Sequence, residues 1–243
     1  MKEKIIGIVV SETPYSETSK IINILTKDGL VGCMAKGARN IKSNFRSGTT
    51  KLTLGSFIVN VKKDKLAILN SVDIIKDYRN IKKDITKISY ATFLIELSSQ
   101  VMKQNKIEIV YNLLIDSLNK IDEGLDPLVI TNILELKYLE YLGVMPILDS
   151  CSVCGAKTGI ATLSSSRGGY ICANCRKNEP IVSEKTLKLL RMFYYVDISK
   201  LEKLEISNIS KKEISDFLDD YYDCYTGLFL KSKNLLKNIN KVG

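Results

Sequence analysis

Four cysteines carry the most readable chemistry in the sequence. Cys151 and Cys154 form one C-x2-C pair and Cys172 and Cys175 a second, with seventeen residues between the pairs, in CSVCGAKTGIATLSSSRGGYICANC (151–175). Each pair suits a tight turn, and two such turns carried by hairpins bring four thiolates together, the spacing of a four-cysteine zinc site. A closed shell of four soft thiolates leaves no position open for water, so the expected Zn²⁺ is structural rather than catalytic. The twenty-five residues of this segment are too few to bury a core, and metal binding would supply most of their folding free energy. The competing readings are two disulfides or a redox-active pair. Disulfides conflict with a reducing compartment, and a redox pair needs only one C-x-x-C beside a βαβ pattern. The two other cysteines, Cys33 and Cys224, fall in an expected strand and an expected helix, where a small buried thiol is the expected role.

Positive charge is the second chemical signal. The formal net charge is +9, and residues 1–80 hold fourteen Lys and Arg against seven Asp and Glu. From Leu30 to Lys63 there are seven basic residues (Lys36, Arg39, Lys42, Arg46, Lys51, Lys62, Lys63) and no acidic one. Such a field favours a polyanion, although a charge run on its own can also be a solvated face. Lys36, Arg39, Lys42, Arg46 and Lys51 lie in or beside one polar loop bracketed by Gly37 and Gly48, and are the expected phosphate contacts of a nucleic-acid site. Aromatics for base stacking are scarce: residues 1–80 contain only Tyr15, Phe45, Phe57 and Tyr78, and the chain has no Trp. Backbone contacts should therefore dominate, with weak sequence preference and steep salt dependence. Lys231, Lys233 and Lys237 form a second basic stretch, better read as a basic helix end than as a partner site.

Enzymatic chemistry has little to build on. The chain has no histidine, and G-x-S-x-G, H-E-x-x-H and a complete P-loop are all missing; GAKT at 155–158 lacks the Gly-Lys pair. Asp219, Asp220 and Asp223 could hold Mg²⁺ in a nuclease, but a trio of this kind on a helix is more often a solvated face.

The elements that must position these groups change period along the chain. Short β-branched runs at 4–10, 19–26, 30–36, 57–61 and 66–75 read as five antiparallel-looking strands, with the SETPYSET stretch a loop and Asp28-Gly29 a hairpin turn. Phe57, Val59 and Val61 share one face. Five short strands with one long loop suit an OB-type barrel better than a sandwich, with an SH3-like barrel as the alternative. Past residue 80 the period becomes helical, with a stripe of Tyr90, Phe93, Leu94, Leu97 and Val101, followed by Val110–Leu118. Asp126, Pro127 and Gly143 then bracket a helix, Ser183 caps another through Tyr195, and Ser210 with Glu213 reads as a capping box. The cysteine segment interrupts two helical stretches and so looks like an insertion into one bundle. The fold class is α+β multidomain: an N-terminal OB-fold barrel (1–80), a helical bundle in two parts (81–148 and 181–243), and an inserted zinc segment (149–180).

With 45% hydrophobic and 26% charged residues, the composition is that of a folded globular chain. No apolar run approaches the ~20 residues of a membrane span, and MKEKIIGIVVSE lacks a cleavage site, so a cytoplasmic protein with no membrane association is expected.

Several stretches together resemble one family, the bacterial DNA repair protein RecO, a recombination mediator. TKDGLVGCMAKGARNIKS (26–43) is similar to that family's glycine and basic segment in the OB domain. EYLGVMPILDSCSVCG (140–155) resembles its helix end running into the first cysteine pair, GGYICANC (168–175) its second pair, and TGLFLKS (226–232) its C-terminal signature. The resemblance implies single- and double-stranded DNA as ligands and a nucleoid-associated location. It also implies RecR and the acidic tail of the single-stranded DNA-binding protein as partners, strand annealing, and help in loading RecA onto coated DNA. Some members lack the four cysteines, so the zinc does not define the activity. A zinc-containing RNA-binding or ribosome-associated OB-fold protein is the alternative, since such barrels serve RNA equally well.

Overall fold

The structure, a computed structural model, describes residues 1–62, 65–105, 108–233 and 236. Five strands open the chain: β1 (Lys2–Pro14), β2 (Lys20–Thr26), β3 (Gly29–Ala35), β4 (Leu54–Lys62) and β5 (Lys65–Lys76). They close a barrel in the order β1-β2-β3-β5-β4, with β4 returning to β1 through pairs such as Ile5↔Phe57. The strands are not all antiparallel, as their spacing suggests. The long excursion between β3 and β4 and the hairpin that follows bring β5 beside β3 in the same direction, over the short register Cys33↔Ala67 and Met34↔Ile68. Alternation sends Val9, Ile22, Ile24, Cys33, Phe57 and Val59 into the barrel core, with Val61 packed against it. Burial in that core pushes the Cys33 thiol up to about 12.

β1 is longer than its β-branched run. The SETP stretch expected to be loop pairs with β2 through Glu12↔Ile22, Thr13↔Ile21 and Pro14↔Lys20, after a bulge between Val9 and Ser11. Pro14 is the last residue of the strand, where a missing N–H costs no internal ladder bond. Gly7 is required where β1 bends between two neighbours: a Cβ there would fall 2.5 Å from the carbonyl oxygen of Leu25.

Two four-residue helices, α1 (Phe45–Gly48) and α2 (Arg79–Lys82), lie on either side of β4 and β5 in the chain. Then come α3 (Ile85–Gln104), capped by Asp84 through the N–H groups of Thr86 and Lys87, and α4 (Glu108–Glu123). Packing divides the chain into two compact units: Met1–Asp122 with Ser232–Gly243, and Glu123–Lys231. In the first, α3 and α4 go with the barrel: Lys76 Nζ donates to Asn119 at 2.8 Å, and Asp122 accepts from the N–H groups of Asn80 and Ile81. This division by packing falls later than the change of period at residue 80.

In the second unit α5 (Pro127–Tyr141) packs against α6 (Glu184–Tyr195) and α7 (Asn208–Tyr225). Asp126 caps α5 through Leu128 N–H and Val129 N–H and takes an ion pair from Lys211. Gly143, at φ +73°, follows the helix in the left-handed region. Tyr222 donates to the Glu135 carbonyl at 2.9 Å, and Lys137 to that of Tyr194 at 2.7 Å. Helices separated by the cysteine segment thus share one bundle. Ser183 caps α6 as its position suggests. The cap of α7 is Ser207, not Ser210: Ser207 Oγ accepts from Ser210 N–H, and Ser210 is buried in the first turn. Glu213 accepts from the Thr186 hydroxyl at 2.6 Å, tying α7 to α6. No helix among the described residues is long and apolar enough to cross a membrane.

Candidate metal centre and nucleic-acid interface

The cysteine segment is a two-stranded ribbon, β6 (Ile160–Ser164) and β7 (Gly169–Cys172), with a turn carrying each thiol pair. The first turn is closed by Gly155 N–H to Cys151 O (2.9 Å), with Gly155 at φ +76°, and the second by Cys175 N–H and Arg176 N–H to Cys172 O (3.1 and 3.0 Å). The sulfurs of Cys151, Cys154, Cys172 and Cys175 all lie within 4.8 Å of one another, and those of Cys154 and Cys172 are 3.7 Å apart. A tetrahedron of sulfurs at about 2.3 Å from one ion has edges of about 3.8 Å, whereas a disulfide needs about 2.05 Å. The four thiols therefore fit a single tetrahedral ion. Burial resists ionisation of Cys151, but N–H groups of Cys172, Cys154 and Val153 aimed at its sulfur outweigh this and lower the thiol to about 6. Among the described residues these four cysteines are the one group placed to hold a metal, and Asp219, Asp220 and Asp223 are not part of it. Cys33 is buried as expected; Cys224 is not, because it lies on the exposed side of α7.

The basic loop runs from Lys36 to Thr53 at one end of the barrel. It is tied to the β1–β2 loop by Arg39 N–H to Thr18 O (2.8 Å), Arg39 Nη1 to Ser16 O (2.6 Å) and Gly37 N–H to Ser19 Oγ (3.3 Å). Gly37 makes the turn at φ +67°. Lys36, Arg39, Lys42 and Arg46 are exposed. Arg39 and Arg46 line a common hollow of about 370 Å³ together with Glu12, Lys20 and Thr50. Lys51 stands apart. Its side chain is half-buried, its Nζ lies 3.4 Å from Thr92 Oγ1, and it lines a separate hollow of about 400 Å³ with Glu96 and Lys103 of α3. Burial pushes the Lys51 ammonium below its usual range, while Glu96 and Glu12 pull it back. Of the four aromatics of the first eighty residues, Phe57 and Tyr78 are buried, Phe45 packs against the core, and Tyr15 alone is strongly exposed, at 60%. Lys63 and Lys237 lie outside the described residues.

Lys20 is absent from the set read from sequence. It lies outside the acid-free window, and only the register Pro14↔Lys20 shows that it faces the hollow of Arg39 and Arg46. No local pattern signals it.

Comparison with known proteins places both halves of the chain. Residues 1–78 match the family described as recombination protein O N terminal, and residues 82–234 match recombination protein O C terminal. The chain belongs to the RecO family. It is 34% identical over 241 residues to the DNA repair protein RecO of Bacillus pumilus (strain SAFR-032), covering 97% of this chain and 94% of that one. It is 33% identical to that of Listeria monocytogenes serotype 4b (strain CLIP80459), covering 98% and 95%. To that of Bacillus mycoides (strain KBAB4) it is 32% identical, covering 99% of both. Membership of this DNA repair family supports a role in repair and recombination, and the five-stranded barrel is the OB-type fold that such a role uses.

Proposed function

We propose that this protein is a non-enzymatic recombination mediator. It binds single- and double-stranded DNA through the barrel and anneals complementary strands. With RecR it helps load RecA onto DNA coated by single-stranded DNA-binding protein, whose acidic tail it contacts. The match to both RecO terminal families across residues 1–78 and 82–234 carries this reading. The exposed cations Lys36, Arg39, Lys42 and Arg46 on one barrel loop support it, since a stripe of cations with few exposed aromatics grips phosphates without reading bases. Lys51 adds positive potential from its half-buried position. Cys151, Cys154, Cys172 and Cys175 hold Zn²⁺, a structural ion that folds the ribbon, and the protein works in the cytoplasm on the nucleoid.

Strand annealing tests the reading. The protein should pair complementary oligonucleotides without ATP, including strands precoated with single-stranded DNA-binding protein. Cleavage of DNA with Mg²⁺ or Mn²⁺, or clear preference for RNA over single-stranded DNA in competition, would overturn it.

A further inference from the structure

The hollow that holds Arg39 and Arg46 also holds an acid. Glu12 Oε2 accepts from Lys20 Nζ at 2.5 Å, and Glu12 Oε1 accepts from the Lys51 backbone N–H at 3.2 Å. The Lys20 side chain is only 9% exposed, while that of Glu12 is 37% exposed and reaches the hollow. Arg39 and Arg46 face the same space, with Thr13 and Thr50 beside them. Donors for a phosphodiester thus converge on the hollow: one nearly buried ammonium and two guanidinium groups, with the Lys51 backbone N–H reached only through Glu12. The carboxylate already on two of those donors is the closest side-chain analogue of a phosphodiester, with two oxygens sharing one negative charge.

We propose that this hollow is a single phosphodiester subsite of the DNA interface, and that Glu12 is its built-in competitor. The inference rests on the barrel's binding DNA. A backbone phosphate entering between Arg39 and Arg46 draws Lys20 away from Glu12 and meets the repulsion of the carboxylate. Glu12 therefore weakens the grip at this point and lowers the number of counterions released. Lys20 is a DNA-contacting residue, and Glu12 sets how tightly the contact closes. Glu12 also keeps Lys20 neutralised in the free protein, which a nearly buried ammonium requires.

The test is fluorescence anisotropy of a labelled oligo-dT with the full-length protein, titrated over NaCl concentration. Glu12→Gln removes the charge and keeps a single oxygen, enough for Lys20 or for the Lys51 N–H but not for both. It should tighten binding by about fivefold to tenfold at low salt and steepen the log K against log salt slope by about one. Asp28→Asn, the same charge change at a turn residue whose side chain is 81% exposed, should shift affinity by less than about twofold. Lys20→Met keeps the stem and removes the cation, and should weaken binding several-fold with a shallower slope. In an Arg39→Ala/Arg46→Ala background the gain from Glu12→Gln should vanish. If Glu12→Gln behaves like Asp28→Asn, or Lys20→Met changes nothing, while Arg39→Ala/Arg46→Ala weakens binding, the competitor is overturned and the DNA interface stands. If Arg39→Ala/Arg46→Ala itself leaves binding intact, the interface on this loop falls as well.

Discussion

The phenol of Tyr170 donates to the carbonyl oxygen of Leu187 at 2.5 Å, joining the strand that carries Cys172 to the first turns of α6. Tyr170 is buried, and burial pushes its phenol up to about 12 although Arg191 opposes the shift, so it stays a donor at neutral pH. A second tie runs from Val182 N–H to Ala161 O at 3.1 Å, and Thr162 Oγ1 reaches Pro180 O at 2.5 Å. The ribbon is therefore stitched to the segment leading into α6, and its order should pass to the helices. Tyr170→Phe removes the donor and keeps the ring. It should lower stability by about 1–2 kcal/mol, read from urea denaturation, while leaving the bound metal unchanged. Loss of metal from Tyr170→Phe would mean that the helices support the ribbon instead.

Removing a ligand should have a larger effect. Cys172 is buried, with its sulfur 3.7 Å from that of Cys154, so Cys172→Ser removes one corner of the tetrahedron. The purified protein should carry about one Zn²⁺ per chain by elemental analysis, and the variant none. Because the ribbon has little core of its own, metal loss should cost at least about 3 kcal/mol and lower Tm by roughly 10 °C. A chelator should reproduce that shift in the unmodified protein and add nothing to the variant. Equal metal content in both proteins would refute the four-thiol site.

What the sequence discloses here follows from how local each signal is. The cysteine pairs are legible because four thiols placed to hold a metal need only two short turns at fixed spacing. The strands are legible because Ile22, Ile24, Phe57 and Val59 alternate with outward residues. The end of β1 is not, since Glu12, Thr13 and Pro14 become strand only through their partners on β2. The cap of α7 is misplaced by one turn because Ser207 and Ser210 are both good capping residues, and the choice is made by Ser210 packing under α6, where its hydroxyl lies 2.8 Å from that of Thr186. Burial of Cys224 is not decided by its helix, because neighbours on α7 such as Tyr221 and Tyr222 take the inward face. Lys20 belongs to the hollow by register alone. Residues whose meaning depends on a distant partner are silent in one dimension.

The same contrast gives a stability test at the α6–α7 junction. Ser207→Ala removes the cap to Ser210 N–H together with the 3.0 Å contact to the Ser210 hydroxyl, and should cost about 1 kcal/mol. Ser210→Ala should cost more, about 2 kcal/mol, since its hydroxyl is buried among Thr186 and Ser207 and its loss leaves Thr186 with fewer partners. Denaturant midpoints of the two variants measure the order directly, and the reverse order would mean that the Ser207 cap outweighs the buried Ser210 hydroxyl.

Gly169 offers a sharper handle on the ribbon. It sits at φ +141°, and a Cβ there would lie 2.3 Å from the carbonyl oxygen of Ile147, which accepts from Tyr170 N–H at 2.9 Å. Because the atom in the way is backbone, no side-chain rotation relieves the overlap. Gly169→Ala should destabilise the protein by about 3 kcal/mol or more and loosen metal binding, measured as faster transfer of Zn²⁺ to a colorimetric chelator. Gly124, with nothing within 4 Å of a Cβ but also at positive φ, is the control: Gly124→Ala should carry only the conformational penalty, about 1 kcal/mol, and leave metal transfer unchanged.

The proposed charge-led interface predicts the dependence on sequence as well as on salt. Lys36 and Lys42 are exposed on the loop beyond the Arg39–Arg46 hollow, so each can meet a phosphate without displacing an internal partner. Changing each to Ala should lower the slope of log K against log salt by about one per residue. The loss should be the same on oligo-dT and on mixed-sequence single strands, and slightly larger on duplex, whose denser charge gives a slope of about 0.9 rather than about 0.7 per phosphate contact. Tyr15 is the exception to watch, being the strongly exposed aromatic of the barrel and lying in the β1–β2 loop, which its N–H to Ser19 O at 3.1 Å closes. If it stacks on a base, Tyr15→Ala should weaken single-strand binding by about fivefold to tenfold, spare duplex binding, and leave the salt slope untouched. A uniform loss on both substrates would assign Tyr15 to the support of the loop.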